Sequence, residues 1–228
     1  MASGLITIYR SVYSNRMTAS SDETRSELLA RALDLFAAYG YDGVGVQQIC
    51  SAAGVTKPTL YHHFGSKRGL LEALIDERLG PLRVALAGNV PRGELAATLT
   101  AIAEATFAFA AAERSFYRLY LTLWFAPIRS EAYEVARSFH ERHFAAVERL
   151  LCDALAAEGL SEGRGRALTA AFLGVLNNTI GLALNNYAAL GAERAREAAH
   201  GFLYGFGAQS DGAAQRGRRK RSHIPIGT

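Results

Sequence analysis

The sequence predicts an all-α protein: an N-terminal three-helix head with a helix-turn-helix, followed by a larger C-terminal helical body. Three observations carry this. Apolar residues recur at spacings of three and four along nearly the whole chain, and strand-like alternation is sparse. Glycines stand where helices should stop, and Thr, Ser or Pro stand where they should start. Finally, a short helix, a turn containing Gly54 and a second short helix follow one another, which is the helix-turn-helix arrangement.

Residues 1–21 read as a flexible arm, and MTASSDET from Met17 also reads naturally as a leader into the first helix. That helix is expected from about Glu23, with Leu28, Ala32, Leu35, Phe36 and Tyr39 on its inner face and Gly40 at its end. The second, Val46–Ala53, turns Ile49 and Cys50 inward and stops at Gly54. Thr56 is expected to cap the third, with Pro58 in the first turn, where a missing N–H costs nothing. Gly65 ends it, and Ser66 caps a fourth running to about Leu79, before Pro81. The head is therefore placed at residues 22–79 and the body at 80–207. Body helices are expected near Glu94–Arg114, Phe116–Phe125, Glu131–Ala157, Gly165–Leu190 and Glu193–Phe206. In the third of these, Val135, Phe139, Val147 and Leu151 form the inner side. Residues 208–228, rich in Gly, Ala, Gln, Ser and Arg, read as a disordered basic tail.

Bulk properties narrow the class. Half the residues are hydrophobic, ample for a packed core and unlike a disordered chain. Cys50 and Cys152 match no zinc or redox spacing, so they are expected as buried thiols in a reducing compartment. The opening MASGLITIYR holds too short an apolar run for a signal peptide, and a cytoplasmic protein is expected. Residues 167–191 carry no charge and are long enough to span a bilayer. Asn177, Asn178, Asn185 and Asn186 fall inside, however, and amides are costly in lipid, so a buried helix and no membrane contact are expected.

The net charge of +4 needs locating before it can mean anything. Residues 1–80 and 81–207 are each neutral, and the whole excess sits in the tail around Arg216, Arg218, Arg219, Lys220 and Arg221. The tail reads as a solubilising end, or as a source of sequence-independent attraction to a polyanion. Global basicity therefore says nothing about the head. The local pattern does: from Gly43 to Leu71 there is no acidic residue, only Lys57, Lys67 and Arg68 with His62 and His63. An acid-free surface is what phosphate contact needs.

The stretch TRSELLARALDLFAAYGYDGVGVQQICSAAGVTKPTLYHHFGSKRGLLEALI, Thr24–Ile75, closely resembles the N-terminal domain of tetracycline-repressor-like (TetR family) transcriptional regulators. The pairing of ALDLFAAYGYDG with AAGVTKPTLYHHFGSK carries the likeness, over about a quarter of the chain. The resemblance implies a homodimer with a DNA-binding head and a ligand-binding body, whose effector alters the spacing of two heads on a palindromic operator. By motif position, Lys57, Pro58 and His62 fall where the family reads bases; Thr59, Tyr61, His63 and Lys67 match phosphate clamps. Thr56 completes the DNA-facing end of the recognition helix, and Gln47 could pair with adenine. Gly45 departs from the family's Ser or Thr cap, which puts one phosphate contact in doubt.

The body offers less. Tyr120, Trp124, His140, His143, Asn177 and Asn178 are the candidates for contact with a small, largely apolar effector. Gly174, Asn178, Gly181, Asn185 and Ala188 recur at steps of four and three as a stripe of small and amide residues, a candidate dimer seam. His140-Glu141-Arg142-His143 is one residue short of a zinc-protease box, and no third ligand is evident. No P-loop occurs, and no catalytic residue, metal or cofactor is expected. The resemblance also implies a repressor rather than an activator, since occupying a promoter blocks polymerase without further surface. Three alternatives stay open: a regulator without effector response, a small-molecule binder whose head no longer reads DNA, and an enzyme built in the body.

Overall fold

The computed structural model describes residues 3–205 apart from 92 and 161. Those residues form nine α-helices and no strand. They are α1 Ser3–Tyr39, α2 Val46–Ala53, α3 Lys57–Phe64, α4 Lys67–Gly88, α5 Leu95–Ala112, α6 Arg114–Trp124, α7 Glu131–Ala157, α8 Gly165–Leu184 and α9 Ala192–Tyr204. The basic tail lies outside the described residues.

In the head, α1 buries Leu28, Leu29, Ala32, Leu33 and Phe36, the stripe that a 3.6-residue period dictates. Tyr39 was expected on that face but is 70% exposed. The stripe continues instead through Tyr41, beyond the helix, whose ring packs 5.2 Å from that of Phe36. α1 also begins at Ser3, well before Glu23: no proline or glycine interrupts residues 5–22, so nothing in the chain's local chemistry stops the helix there. Gly54 takes a left-handed conformation, φ 66°, which sets the turn between α2 and α3. Gly69 is required for a different reason: a Cβ there would stand 2.1 Å from the Phe64 carbonyl oxygen, where α4 passes under the end of α3.

Three helix ends differ from expectation. α4 does not stop before Pro81 but runs through it to Gly88, crossing the expected head–body boundary. A mid-helix proline costs about 3 kcal/mol. Burial of Leu82 and Leu86, each worth about 1.5–3 kcal/mol, offsets that, and Arg83 donates to the Asp76 carbonyl in the disturbed turn at 2.9 Å. α8 ends at Leu184 rather than Leu190, because Asn186 turns left-handed at φ 64° and Arg114 and Arg118 donate to the Ala183 and Leu184 carbonyls at 3.0 and 2.6 Å. Ala188 consequently lies outside the helix. Thr56 sits at the start of α3 but makes no capping bond; its hydroxyl pairs with that of Thr59 at 2.9 Å.

α5 packs against α9, α7 against α8, α5 and α4, and α1 against α2 and α6. One apolar core runs without a break from Leu28 in the head to Ala199 in α9. By length and composition α5 and α8 could each cross a membrane; here both pack within this core.

Candidate nucleic-acid interface and body cavity

α3 is held by two residues, Leu60, fully buried, and Phe64, half-buried under the guanidinium of Arg25 at 5.6 Å. Everything else along it is turned outward. Thr56, Lys57, Pro58, Tyr61 and His62 are exposed, with Gln47 exposed on α2, while Thr59 and His63 are half-buried. No carboxylate occurs in the sequence between Gly43 and Leu71. Gly45 opens α2, and its N–H donates to the Gln48 side-chain carbonyl at 2.7 Å, which supplies half of a capping box without a hydroxyl. Ser66 caps α4 as expected, accepting from the Gly69 N–H at 2.9 Å.

Lys67 is turned inward. Its Nζ donates to the carbonyls of Tyr41 and Val44 at 3.1 and 3.0 Å and lies 4.0 Å from the centre of the Tyr41 ring. It therefore fastens the α1–α2 loop to the start of α4, and only its third N–H is left for anything else. Next to it, Tyr41 donates its phenol proton to the Glu131 carboxylate, and Arg68 bonds both Glu72 at 2.9 Å and Glu134 at 3.3 Å. Burial, and then the Glu131 carboxylate, hold the Tyr41 phenol well above the ordinary tyrosine range. The first turn of α7 is thus tied to the head. Sequence reasoning missed this junction, since Tyr41 and Glu131 stand 90 residues apart and no periodicity joins them.

The body holds a hollow of about 590 Å³ between α6, α7 and α8. All six candidates, Tyr120, Trp124, His140, His143, Asn177 and Asn178, line it. The stripe residues Gly174, Gly181 and Asn185 line it too, and Ala188 does not. Among the described residues, no Lys, Arg, Asp or Glu is in its wall. Its rim is aromatic: Trp124 is half-exposed, and Phe125 and Tyr187 more so. Tyr117, buried behind the wall, donates to the Asn177 carbonyl oxygen at 2.9 Å and so fixes that amide. Burial raises the phenols of Tyr117 and Tyr120 and lowers both histidines to about 4, so the imidazoles are neutral at pH 7. His140 packs edge-on against Tyr120 and Trp124, ring centres 4.6 and 4.5 Å away. A smaller hollow of about 270 Å³ lies across α7 against α4.

Comparison with known proteins agrees with this arrangement. Residues 28–74 match the family described as bacterial regulatory proteins, tetR family. Among curated relatives, the transcriptional activator FasR of Mycolicibacterium smegmatis is 36% identical over 102 residues, 43% of this chain and 45% of that protein. The transcriptional repressor KstR2 of Rhodococcus jostii is 34% identical over 93 residues, 39% of this chain and 46% of that protein. The chain thus spans less than half the length of either. Among solved structures, FadR of Bacillus subtilis in complex with stearoyl-CoA superposes with a TM-score of 0.66 at 16% identity, covering 79% of this chain and 98% of that one. PfmR of Thermus thermophilus gives 0.62 at 23% identity, covering 78% and 98%. At such identities the likeness is one of fold.

Proposed function

We propose, since this chain belongs to the tetR family of bacterial regulatory proteins, that it is a dimeric, ligand-responsive DNA-binding regulator, released from a palindromic operator by a small, largely apolar effector. The observation that carries the reading is the exposed, acid-free face of α3. Lys57 donates to guanine N7 and O6, Pro58 packs on a thymine methyl, and Gln47 and His62 reach neighbouring base edges. Thr56, Thr59, Tyr61 and His63 contact phosphates and set the register. Lys67 contributes mainly by holding the loop, with one N–H left to meet phosphate. The helix reads a major groove, so two heads sit about 34–36 Å apart or a multiple of it.

In the body, the hollow takes the effector, and likeness in fold to a regulator solved with stearoyl-CoA supports an apolar one. α7 lines the hollow and also carries Glu131 and Glu134, which support it as the lever from effector to head. Whatever factor the effector takes from operator affinity, the operator takes from effector affinity. A second copy lies along the α8 stripe and covers the mouth of the hollow that the same residues line; Leu182 there is 44% exposed. Gly181→Trp should then sediment as monomer; an undisturbed dimer would place the seam elsewhere.

One relative is an activator and another a repressor; here a dimer seated on a promoter represses by blocking polymerase. Footprinting on the DNA flanking its own gene, with excess competitor and a salt series, tests the reading as a whole. A protected palindrome that survives competitor is expected. Binding that vanishes with competitor at every candidate site would leave a helical small-molecule binder whose head no longer reads DNA.

A further inference from the structure

His140 is 91% buried, since only 9% of it is exposed, yet its Nε2 has no hydrogen-bond partner among the described residues and no contact with solvent. An unpaired buried acceptor is costly, so a chain that keeps one at a cavity wall has a use for it. The ring's other polar neighbour is the Tyr120 backbone, which favours the proton on Nδ1 and leaves Nε2 as the acceptor. Tyr120 and Trp124 pack edge-on against the ring and cover it. His140 lines two hollows: among the described residues the one of about 590 Å³ has no charged residue in its wall, hence nothing to neutralise a carboxylate or phosphate, whereas the other, of about 540 Å³, carries Arg137, Glu141, Glu148 and Arg166.

We infer that the effector has an apolar, ring-sized body and, at its inner end, a neutral hydrogen-bond donor such as a phenol or alcohol hydroxyl, which it gives to His140 Nε2. This rests on the hollow being the effector site, and it adds which chemistry the site selects. The donor reaches Nε2 by displacing a ring. Trp124, half-exposed at the rim, is the one free to move.

Trp124 is the only tryptophan in the chain, so its fluorescence reports the event directly. Three probes sharing one body separate the possibilities: 4-hexylphenol donates, 4-hexylanisole only accepts, and 4-hexylbenzoate is an anion at pH 7.5. The phenol should bind about tenfold or more tighter than the anisole, a difference of about 1.4 kcal/mol, and the benzoate should be weakest. In His140→Phe the ring shape stays and the acceptor goes, so phenol and anisole should bind alike. Equal binding of phenol and anisole to the unaltered protein would overturn the inference while leaving the hollow as a ligand site. So would a phenol preference that persists in His140→Phe. If none of the three perturbs Trp124, the hollow is not the effector site and both readings fall. The comparison in the unaltered protein stands even where the variant folds poorly.

Discussion

Replacing Lys67 by methionine separates the two roles its position allows, because the stem is kept and only the ammonium is lost. In the structure that ammonium makes two bonds, to the Tyr41 and Val44 carbonyls at 3.1 and 3.0 Å, and covers the Tyr41 ring at 4.0 Å. A hydrogen bond from a charged donor contributes about 1.5–3 kcal/mol, and a partly exposed cation–π contact about 0.5–1 kcal/mol. Against these stands about 2 kcal/mol of side-chain entropy that the methionine recovers in part, and water that reaches the loop once the ammonium is gone. The net loss expected is about 2–3 kcal/mol, or roughly 4–12 °C in Tm for a chain of this size. Thermal melts are paired with operator titrations over a salt series, measured where the variant is folded. A lysine acting through the loop lowers affinity at every salt concentration and leaves the log–log slope alone. A lysine acting on phosphate lowers the slope by about 0.9. An unchanged Tm with a lowered slope would refute the inward role and return Lys67 to the phosphate contacts.

Further outcomes follow from other contacts. His140 titrates near 4 in the fold against an ordinary 6.5, so the unfolded chain takes the proton first as pH falls. Stability should be intact above about pH 6.5 and decline toward pH 4, by up to about 3 kcal/mol from this residue, with His143 adding in the same direction. Urea melts at pH 7.5 and 5 should therefore converge in His140→Phe relative to the unaltered protein; an identical decline in both would reject the assignment. Gly165→Ala puts a Cβ 2.2 Å from Cys152 Sγ at the α7–α8 approach and should cost about 1–3 kcal/mol, read as a shifted urea midpoint. Tyr41→Phe keeps the buried ring but cuts the bond to Glu131. It should cost about 1 kcal/mol, since Glu131 is exposed and rehydrates, and it should shrink the effect of a cavity ligand on operator affinity. Coupling that survives unchanged would mean the signal travels by α4 alone.

What the sequence determined by itself is what depends on near neighbours. Helical periodicity, the glycines at Gly40, Gly54 and Gly65 and the Ser66 cap are local statements, and the helices and the inward Ile49 and Cys50 followed from them. The six residues named as effector contacts meet in one hollow, and a hollow lined by aromatic and amide side chains is as far as local sequence could point. Local rules failed wherever a distant group outweighed them. Pro81 lies inside α4 because the residues after it are buried against α5 and α7, and Tyr41 rather than Tyr39 closes the head because Phe36 and Lys67 sandwich its ring. Lys67 turns inward because two loop carbonyls, more than twenty residues away in sequence, lie within reach of its ammonium. The tie from Tyr41 to Glu131 and the orphaned Nε2 of His140 belong to tertiary structure alone, for a hydrogen bond is set by where two atoms meet, and no spacing along the chain records that.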